Sequence, residues 1–278
     1  MTKSAPLFDR LALIGVGLIG SSIARAARAQ GLVREIVATA RSAATRRRVA
    51  ELGLADQVVE SNAAAVAGAD LVIVCIPVGA CGEVAVEIGP HLARGATVSD
   101  VGSVKSAVLR DMAPHLPAGV HFVPAHPVAG TENSGPDAGF AALFVGRWCI
   151  LTPPDDADPA AVEKLAAFWR TLGANVETMP AAHHDLVLAI TSHLPHLIAY
   201  TIVGTADDLA EVTRSEVLKV SAGGFRDFTR IAASDPTMWR DVFLANKDAV
   251  LEMLGTFNED LSLITRAIRR GDGAGDLR

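Results

Sequence analysis

Cysteine is scarce: Cys75, Cys81 and Cys149 are the only three in 278 residues, too few and too scattered for a disulfide framework or a zinc cluster. Cys75 falls in the apolar run Leu71–Ile76 and reads as a small buried hydrophobe. Basic excess is missing as well. The formal net charge is −6, which excludes a general nucleic-acid binder, whose surface would be basic. The only tight basic run, Arg46, Arg47 and Arg48, suggests a small anionic ligand; the alternative is a solvated helix face. Long hydrophobic runs are absent too. The start, MTKSAPLFDR, lacks the apolar core of a signal peptide, and no stretch of about 18 uninterrupted apolar residues follows. A cytoplasmic protein with no membrane and no nucleic-acid partner is expected. Internal repeats and low-complexity tracts are lacking, and the tail Gly271–Arg278 reads as disordered.

What is present is apolar material, 50% of the chain against 20% charged. That suffices for one large domain or two ordinary ones, since single cores stop growing at about 250–300 residues. Short apolar runs at Leu11–Gly15, Ile36–Thr39, Leu71–Ile76, Thr97–Val101, His121–Pro124 and Trp148–Leu151 alternate with helical stretches such as Ser21–Gln30 and Pro159–Leu172. Another apolar segment lies at Asn175–Met179. This alternation predicts an α/β fold, a parallel sheet covered on both faces, and places a Rossmann-type dinucleotide-binding domain over residues 1–180. Beyond Pro180 no run is strand-like. Asp185–Val203, Leu209–Ser221 and Trp239–Arg270 read as helices, which makes residues 181–278 an all-helical domain. So small a helical segment has little core of its own, and a homodimer is the expected assembly.

The segment Leu11-Ala-Leu-Ile-Gly15-Val-Gly17-Leu18-Ile19-Gly20 carries G-x-G-x-x-G. It follows a strand and opens a helix, the setting that gives the pattern mechanical meaning. Gly15 permits the tight turn, Gly17 lets the backbone approach a pyrophosphate, and Gly20 lets helix and strand pack closely. Leu18 and Ile19 then open a helix whose N-terminus faces the phosphate charge. A glycine turn without a ligand is the competing reading. An NAD site usually carries an acid about 20 residues past the loop, but Thr39-Ala40-Arg41-Ser42 holds none. Arg41 and Ser42, with Arg46 or Arg47 behind them, suit a 2′-phosphate, so NADP is expected in preference to NAD.

Several further segments follow in order: Asp100-Val-Gly-Ser103-Val-Lys105, Ala125-His126-Pro127-Val-Ala-Gly130-Thr-Glu-Asn-Ser134-Gly135, Ser192-His193-Leu-Pro-His196, and Gly224-Phe-Arg-Asp227-Phe-Thr-Arg230. Together with the glycine loop, they make the chain resemble the prephenate/arogenate (cyclohexadienyl) dehydrogenase family over nearly its whole length. The resemblance implies a dinucleotide domain followed by a helical dimerisation domain. The reaction it implies is NAD(P)-dependent oxidative decarboxylation of prephenate or arogenate on the route to tyrosine, with a lean toward arogenate.

The same resemblance implies site residues, each with a plainer alternative. His126 is the catalytic histidine, bonded to the substrate hydroxyl; otherwise it is a strand-end histidine satisfied by backbone. Ser103 bonds that histidine and the nicotinamide or the hydroxyl; otherwise it is an N-cap. Lys105 adds positive charge to the pocket. His196 binds substrate, with His193 on nearly the same helix face. Arg230 pairs with the side-chain carboxylate and Asp227 orients or gates it; otherwise the two form a surface ion pair. Trp239 and Arg240 read as packing or subunit contacts. No metal is expected, because the His193/His196 pair has no third ligand at a fitting spacing and hydride transfer needs none. An acid near the substrate side chain favours the ammonium of arogenate, and Glu132 and Asp137 are candidates.

Two departures and two rivals bound this reading. The family pattern continues past Arg269-Arg270-Gly271 with another helix, where this chain stops at Arg278, and no fused mutase or regulatory domain is seen. A β-hydroxyacid dehydrogenase or an imine reductase places a catalytic lysine on a helix, and Lys219 and Lys247 lack the supporting motif. A dinucleotide-sensing protein binds the cofactor without turnover.

Overall fold

The computed structural model describes residues 5–131, 133–208, 216, 219, 220 and 222–271. It divides into two compact units, Met1–His184 and Asp185–Arg278. The first is built on six parallel strands: β1 (Phe8–Ile14), β2 (Val33–Thr39), β3 (Gln57–Val58), β4 (Leu71–Val74), β5 (Thr97–Asp100) and β6 (His121–Phe122). Their order is β3-β2-β1-β4-β5-β6. Every residue of β4 and β5 is buried, as a parallel sheet covered on both faces requires. The order reverses between β1 and β4, and such a switch point opens a crevice at the carboxyl ends of the strands.

The helices of this unit are α1 (Leu18–Gln30), α2 (Ala43–Glu51), α3 (Asn62–Val66), α4 (Cys81–Ile88), α5 (Lys105–Met112) and α6 (Pro159–Thr171). Their ends follow local chemistry. The Ser42 hydroxyl caps α2, and Asp158 caps α6 ahead of Pro159 in the first turn. The fully buried Phe8, Phe144, Phe168 and Trp169 pack edge to face at centroid distances of 5.2–6.1 Å and anchor α6 to the core.

One feature departs from the expected alternation. The strand expected over residues 121–124 stops at Phe122. Val123 still donates to the Val98 carbonyl, but Pro124 has no N–H to continue the ladder. The chain resumes at β7 (Ala125–Pro127) in a second sheet, β7-β8-β9, completed by β8 (Trp148–Leu151) and β9 (Asn175–Thr178). In it β7 is antiparallel to β8, and β9 is parallel to β8. His126 therefore sits on the first strand of a separate small sheet rather than at the end of the large one.

A helix α7 (Ala181–Leu188) crosses the division between the units and continues through a π-helical turn, Ala189–His193, into α8 (Leu194–Asp207). The 27-residue stretch Ala181–Asp207 has the length and composition of a membrane span. It nevertheless carries the buried Asp185 and His193, and Asn246 hydrogen-bonds the Asp185 carbonyl and the His193 ring. The helix expected near residues 209–221 lies mostly outside the described residues, although Glu216, Lys219 and Val220 are helical; the tail 272–278 lies outside them altogether.

Beyond it come α9 (Gly223–Thr229), α10 (Pro236–Ala245) and α11 (Lys247–Arg270). The single helix expected over Trp239–Arg270 is two. Asn246 breaks it at φ −106° and ψ 32°, with its amide donating to the Asp185 carbonyl at 2.8 Å and meeting His193 Nδ1 at 3.0 Å. The start moves upstream because Asp235 accepts from the Thr237 and Met238 N–H groups and Pro236 occupies the first turn.

Candidate active site

The glycine loop leaves β1 at the switch point, and its three glycines have different reasons to exist. Gly15 has φ +88°, and a Cβ there would lie 2.4 Å from the Cys75 carbonyl oxygen. A Cβ on Gly20 would lie 2.4 Å from the Gly15 carbonyl oxygen. Both are demanded by the fold. Gly17 is not: its φ of −88° suits any residue, and a Cβ there would meet nothing within 4 Å. The open space above Gly17 borders the N-terminus of α1, which has no side-chain cap and no acidic residue in its first turn. Unsatisfied N–H groups with no competing carboxylate suit an anion such as a pyrophosphate. Beside the loop, burial pushes the Cys75 thiol up, so this cysteine is no nucleophile at neutral pH.

At the end of β2 no carboxylate appears. The Ser42 hydroxyl accepts from the Thr45 N–H at 3.0 Å, and Arg46 Nη1 donates to the Ala40 and Arg41 carbonyls at 2.8 and 3.1 Å. Arg41 and Arg47 are exposed. Ser42 and Arg46 thus shape the turn, and Arg41 stands at its tip. Arg48, third in the basic run, turns away to grip Asp137 with contacts of 2.6, 3.0 and 3.1 Å. That guanidinium holds the Asp137 carboxyl below the usual carboxylate range. Asp137 is therefore not an uncompensated acid awaiting an ammonium, which removes the charge argument for arogenate at this position. Glu132, the other candidate, lies outside the described residues. The same turn is docked on α1, where Phe140 N–H donates to Ser22 Oγ at 3.1 Å.

The shape of the next cluster is set by a buried ion pair. Asp100 ends β5 and Lys105 opens α5, both fully buried and joined to each other. Lys105 also donates to the Ala125 carbonyl at 2.8 Å, and Asp100 accepts from Gly102 N–H at 2.7 Å and Ala125 N–H at 3.2 Å. This corrects the expectation that Lys105 adds charge to a substrate pocket: an ammonium with no exposed surface touches no substrate. Ser103 lies between them, half-buried. It is not an N-cap, since α5 is preceded by Val104 and has no side-chain cap. The Ser103 hydroxyl makes no hydrogen bond among the described residues.

His126, the central residue of β7, is 8% exposed. Its Nδ1 lies 2.8 Å from Nε2 of the fully buried His184, and the rings meet edge to face at 72°. One proton lies between those two nitrogens, so each ring fixes the tautomer of the other. Sequence reasoning passed over His184 and Asp100. A His183-His184 pair at the head of an apolar helix is a weak local signal, and the pairing spans 58 residues.

In the helical unit His193 and His196 both meet the Trp239 ring, His193 edge to face at 6.0 Å and His196 stacked at 3.6 Å and 20°, and His193 also meets the buried Asn246 amide. Burial lowers the His196 pKa, opposed by the bond to the Ser192 carbonyl at 2.8 Å. His196 is thus neutral at neutral pH, and because a carbonyl only accepts, Nδ1 carries the proton. Its Nε2 is left as an acceptor, suited to a hydroxyl or ammonium rather than a carboxylate. Arg230 begins the 3-10 turn after α9 and is exposed, as is Asp227. The surface ion pair between them is not made. Among the described residues no group of three His, Cys, Asp or Glu side chains could hold a metal ion.

Known proteins match this chain along nearly its whole length. Residues 23–178 match the family model described as prephenate dehydrogenase, nucleotide-binding domain, and residues 180–277 match prephenate dehydrogenase, dimerization domain. The chain is 43% identical over 267 residues to the cyclohexadienyl dehydrogenase of Zymomonas mobilis, covering 96% of this chain and 91% of that protein. It is 33% identical to the prephenate dehydrogenase of Bacillus subtilis, covering 95% of this chain and 71% of that one. The crystal structure of prephenate dehydrogenase from Aquifex aeolicus with hydroxyphenyl propionate and NAD+ superposes with a TM-score of 0.88 at 33% identity, covering 95% and 91% of the two chains. The Synechocystis arogenate dehydrogenase structure gives 0.80 at 25% identity, covering 95% and 94%. The chain belongs to the prephenate dehydrogenase family.

Proposed function

We propose that this protein oxidatively decarboxylates a cyclohexadiene acid, prephenate or arogenate, with a nicotinamide dinucleotide. The carrying observation is the buried His126–His184 pair, in the same unit as a glycine loop whose middle glycine no protein contact demands. The dinucleotide accepts hydride from the ring carbon bearing the hydroxyl, the ring carboxylate departs as carbon dioxide, and the ring becomes aromatic. Gly15, Gly17, Leu18, Ile19 and Gly20 hold the pyrophosphate at the start of α1. His126 takes the hydroxyl proton, oriented through Nδ1 by His184, and the Ser103 hydroxyl bonds the nicotinamide or the substrate. His196 offers its neutral Nε2 as an acceptor, and Arg230 takes the side-chain carboxylate. The assembly is a homodimer through the helical unit, where Leu251, Leu263 and Ile268 on α11 are 56–74% exposed. The deciding assay mixes pure protein with each acid and each dinucleotide and follows absorbance at 340 nm. Cofactor binding with no absorbance rise for either acid would sink the enzyme reading in favour of a dinucleotide sensor.

Arg230→Gln raises the KM for substrate about 10- to 100-fold with kcat changed less than threefold. A charge-assisted bond is worth about 1.5–3 kcal/mol, and loss of uniform binding appears in KM. Steady-state kinetics check this, and an unchanged KM removes Arg230 from the site.

We also propose NADP as the preferred dinucleotide, supported by the absence of an acid at the end of β2 and the exposed Arg41 at its turn. The NAD+ bound by the Aquifex relative makes this a property to measure on this chain. Arg41→Ala raises the KM for NADP about 10-fold or more, by the same magnitude of charge-assisted bond, and leaves the KM for NAD within threefold. Wild type that prefers NAD by more than tenfold overturns the preference.

A further inference from the structure

We infer that Asp100 and Lys105 are a buried clamp that sets the position of Ser103 relative to His126, acting as positioning residues for the proton-transfer step. The inference rests on the function proposed above. In the chain the two charged residues bracket Ser103. In space their bonds converge on Ala125, the residue before His126: Asp100 accepts its N–H at 3.2 Å and Lys105 donates to its carbonyl at 2.8 Å. Both backbone polar groups of Ala125 are thereby held from the Ser103 loop. The loop is pinned from its own side, since Asp100 accepts from the Gly102 N–H at 2.7 Å. No side chain fits at Gly102, where a Cβ would lie 2.8 Å from Val78 and 2.9 Å from the Asp100 carboxylate.

Stability alone does not account for a salt bridge with neither side chain exposed. Desolvating two charges costs as much as their attraction returns, and an apolar pair of the same volume is often as stable. Directional bonds give what apolar packing does not, a fixed register between two backbone segments. Here one segment carries Ser103 and the other carries His126. A shift of about 1 Å between groups that must meet the same bound reactants is costly for rate even when the fold survives. The pair also explains why a lysine and an aspartate five residues apart lie sealed from solvent beside a site that uses neither charge on substrate.

The test compares wild type, Lys105→Met and the double variant Asp100→Asn/Lys105→Met by kcat, cofactor Kd, thermal midpoint and solvent deuterium isotope effect. The single variant strands a buried carboxylate and is expected to lose stability. The double variant is neutral and of similar volume, and is expected to regain the wild-type midpoint. Its kcat stays at least ~10-fold low, cofactor Kd stays within twofold, and the solvent isotope effect rises as the proton step becomes limiting. A double variant that recovers kcat to within twofold overturns the clamp, as does a low kcat with an unchanged isotope effect. If the double variant does not fold, Asp100→Asn alone decides by the same two readouts. Wild type inactive on both acids would sink the function itself, whereas active wild type with an equally active double variant sinks only the clamp.

Discussion

His126→Asn turns over at least ~100-fold more slowly than wild type while substrate KM and cofactor Kd stay within threefold. The magnitude is that of a positioned general base, about 10²- to 10⁴-fold. Asparagine is the informative replacement because its amide occupies the place of Nδ1 and can bond His184 Nε2, which lies 2.8 Å from that atom. The buried contact is kept and proton acceptance is lost. Stopped-flow and steady-state rates check this. A loss below 10-fold assigns the base elsewhere, with His184 next to examine. A thermal midpoint that collapses would instead show the pair to be structural, and His126→Gln then repeats the test with a longer amide.

The parts legible in the sequence were those fixed locally. Five strands of the large sheet were readable because a strand buried on both faces must be apolar throughout. Strand β3, only Gln57–Val58, left no such run, and the sixth run expected in that sheet, Trp148–Leu151, is β8 of the second sheet. In the glycine loop Gly15 and Gly20 answer short-range demands. Helix starts such as Asp158-Pro159 and Asp235-Pro236 carry their own signal as well. What stayed hidden depends on partners far along the chain. Pro124 marks the passage from one sheet to the next, but that β7 pairs antiparallel with β8 rests on a register with residues 149–151. The break at Asn246 follows from an amide spent on Asp185 and His193, 61 and 53 residues away, and no periodicity records it. Lys105 was legible as a charge beside Ser103. That it faces inward to Asp100 and Ala125 was not, because a lysine is rarely fully buried and a family motif does not say which way it points. Asp137 failed in the opposite sense: its acidity was plain, and its neutralisation by Arg48, 89 residues earlier, was not.

The glycine loop allows a separation that most binding sites do not. Gly17→Ala lowers the thermal midpoint by only about 2–4 °C and raises the KM for the dinucleotide at least ~10-fold, a loss of about 1.4 kcal/mol of binding. The backbone at Gly17 needs no glycine, with φ −88°, and an added methyl meets no protein atom within 4 Å. At the cap of α1 glycine is preferred to alanine, and the exchange costs about 0.5–1 kcal/mol of stability. The methyl therefore occupies space that only a bound pyrophosphate contests, and it holds the phosphate off the N–H groups at the helix start. Gly15→Ala and Gly20→Ala are the contrasting cases, for each places its methyl 2.4 Å from a backbone oxygen. Those two lose cofactor binding and fold stability together. Dye-monitored melting and fluorescence titration with the reduced dinucleotide read the two quantities separately. If Gly17→Ala binds as wild type does, the pyrophosphate does not cross this loop, and the open space above Gly17 serves some other end.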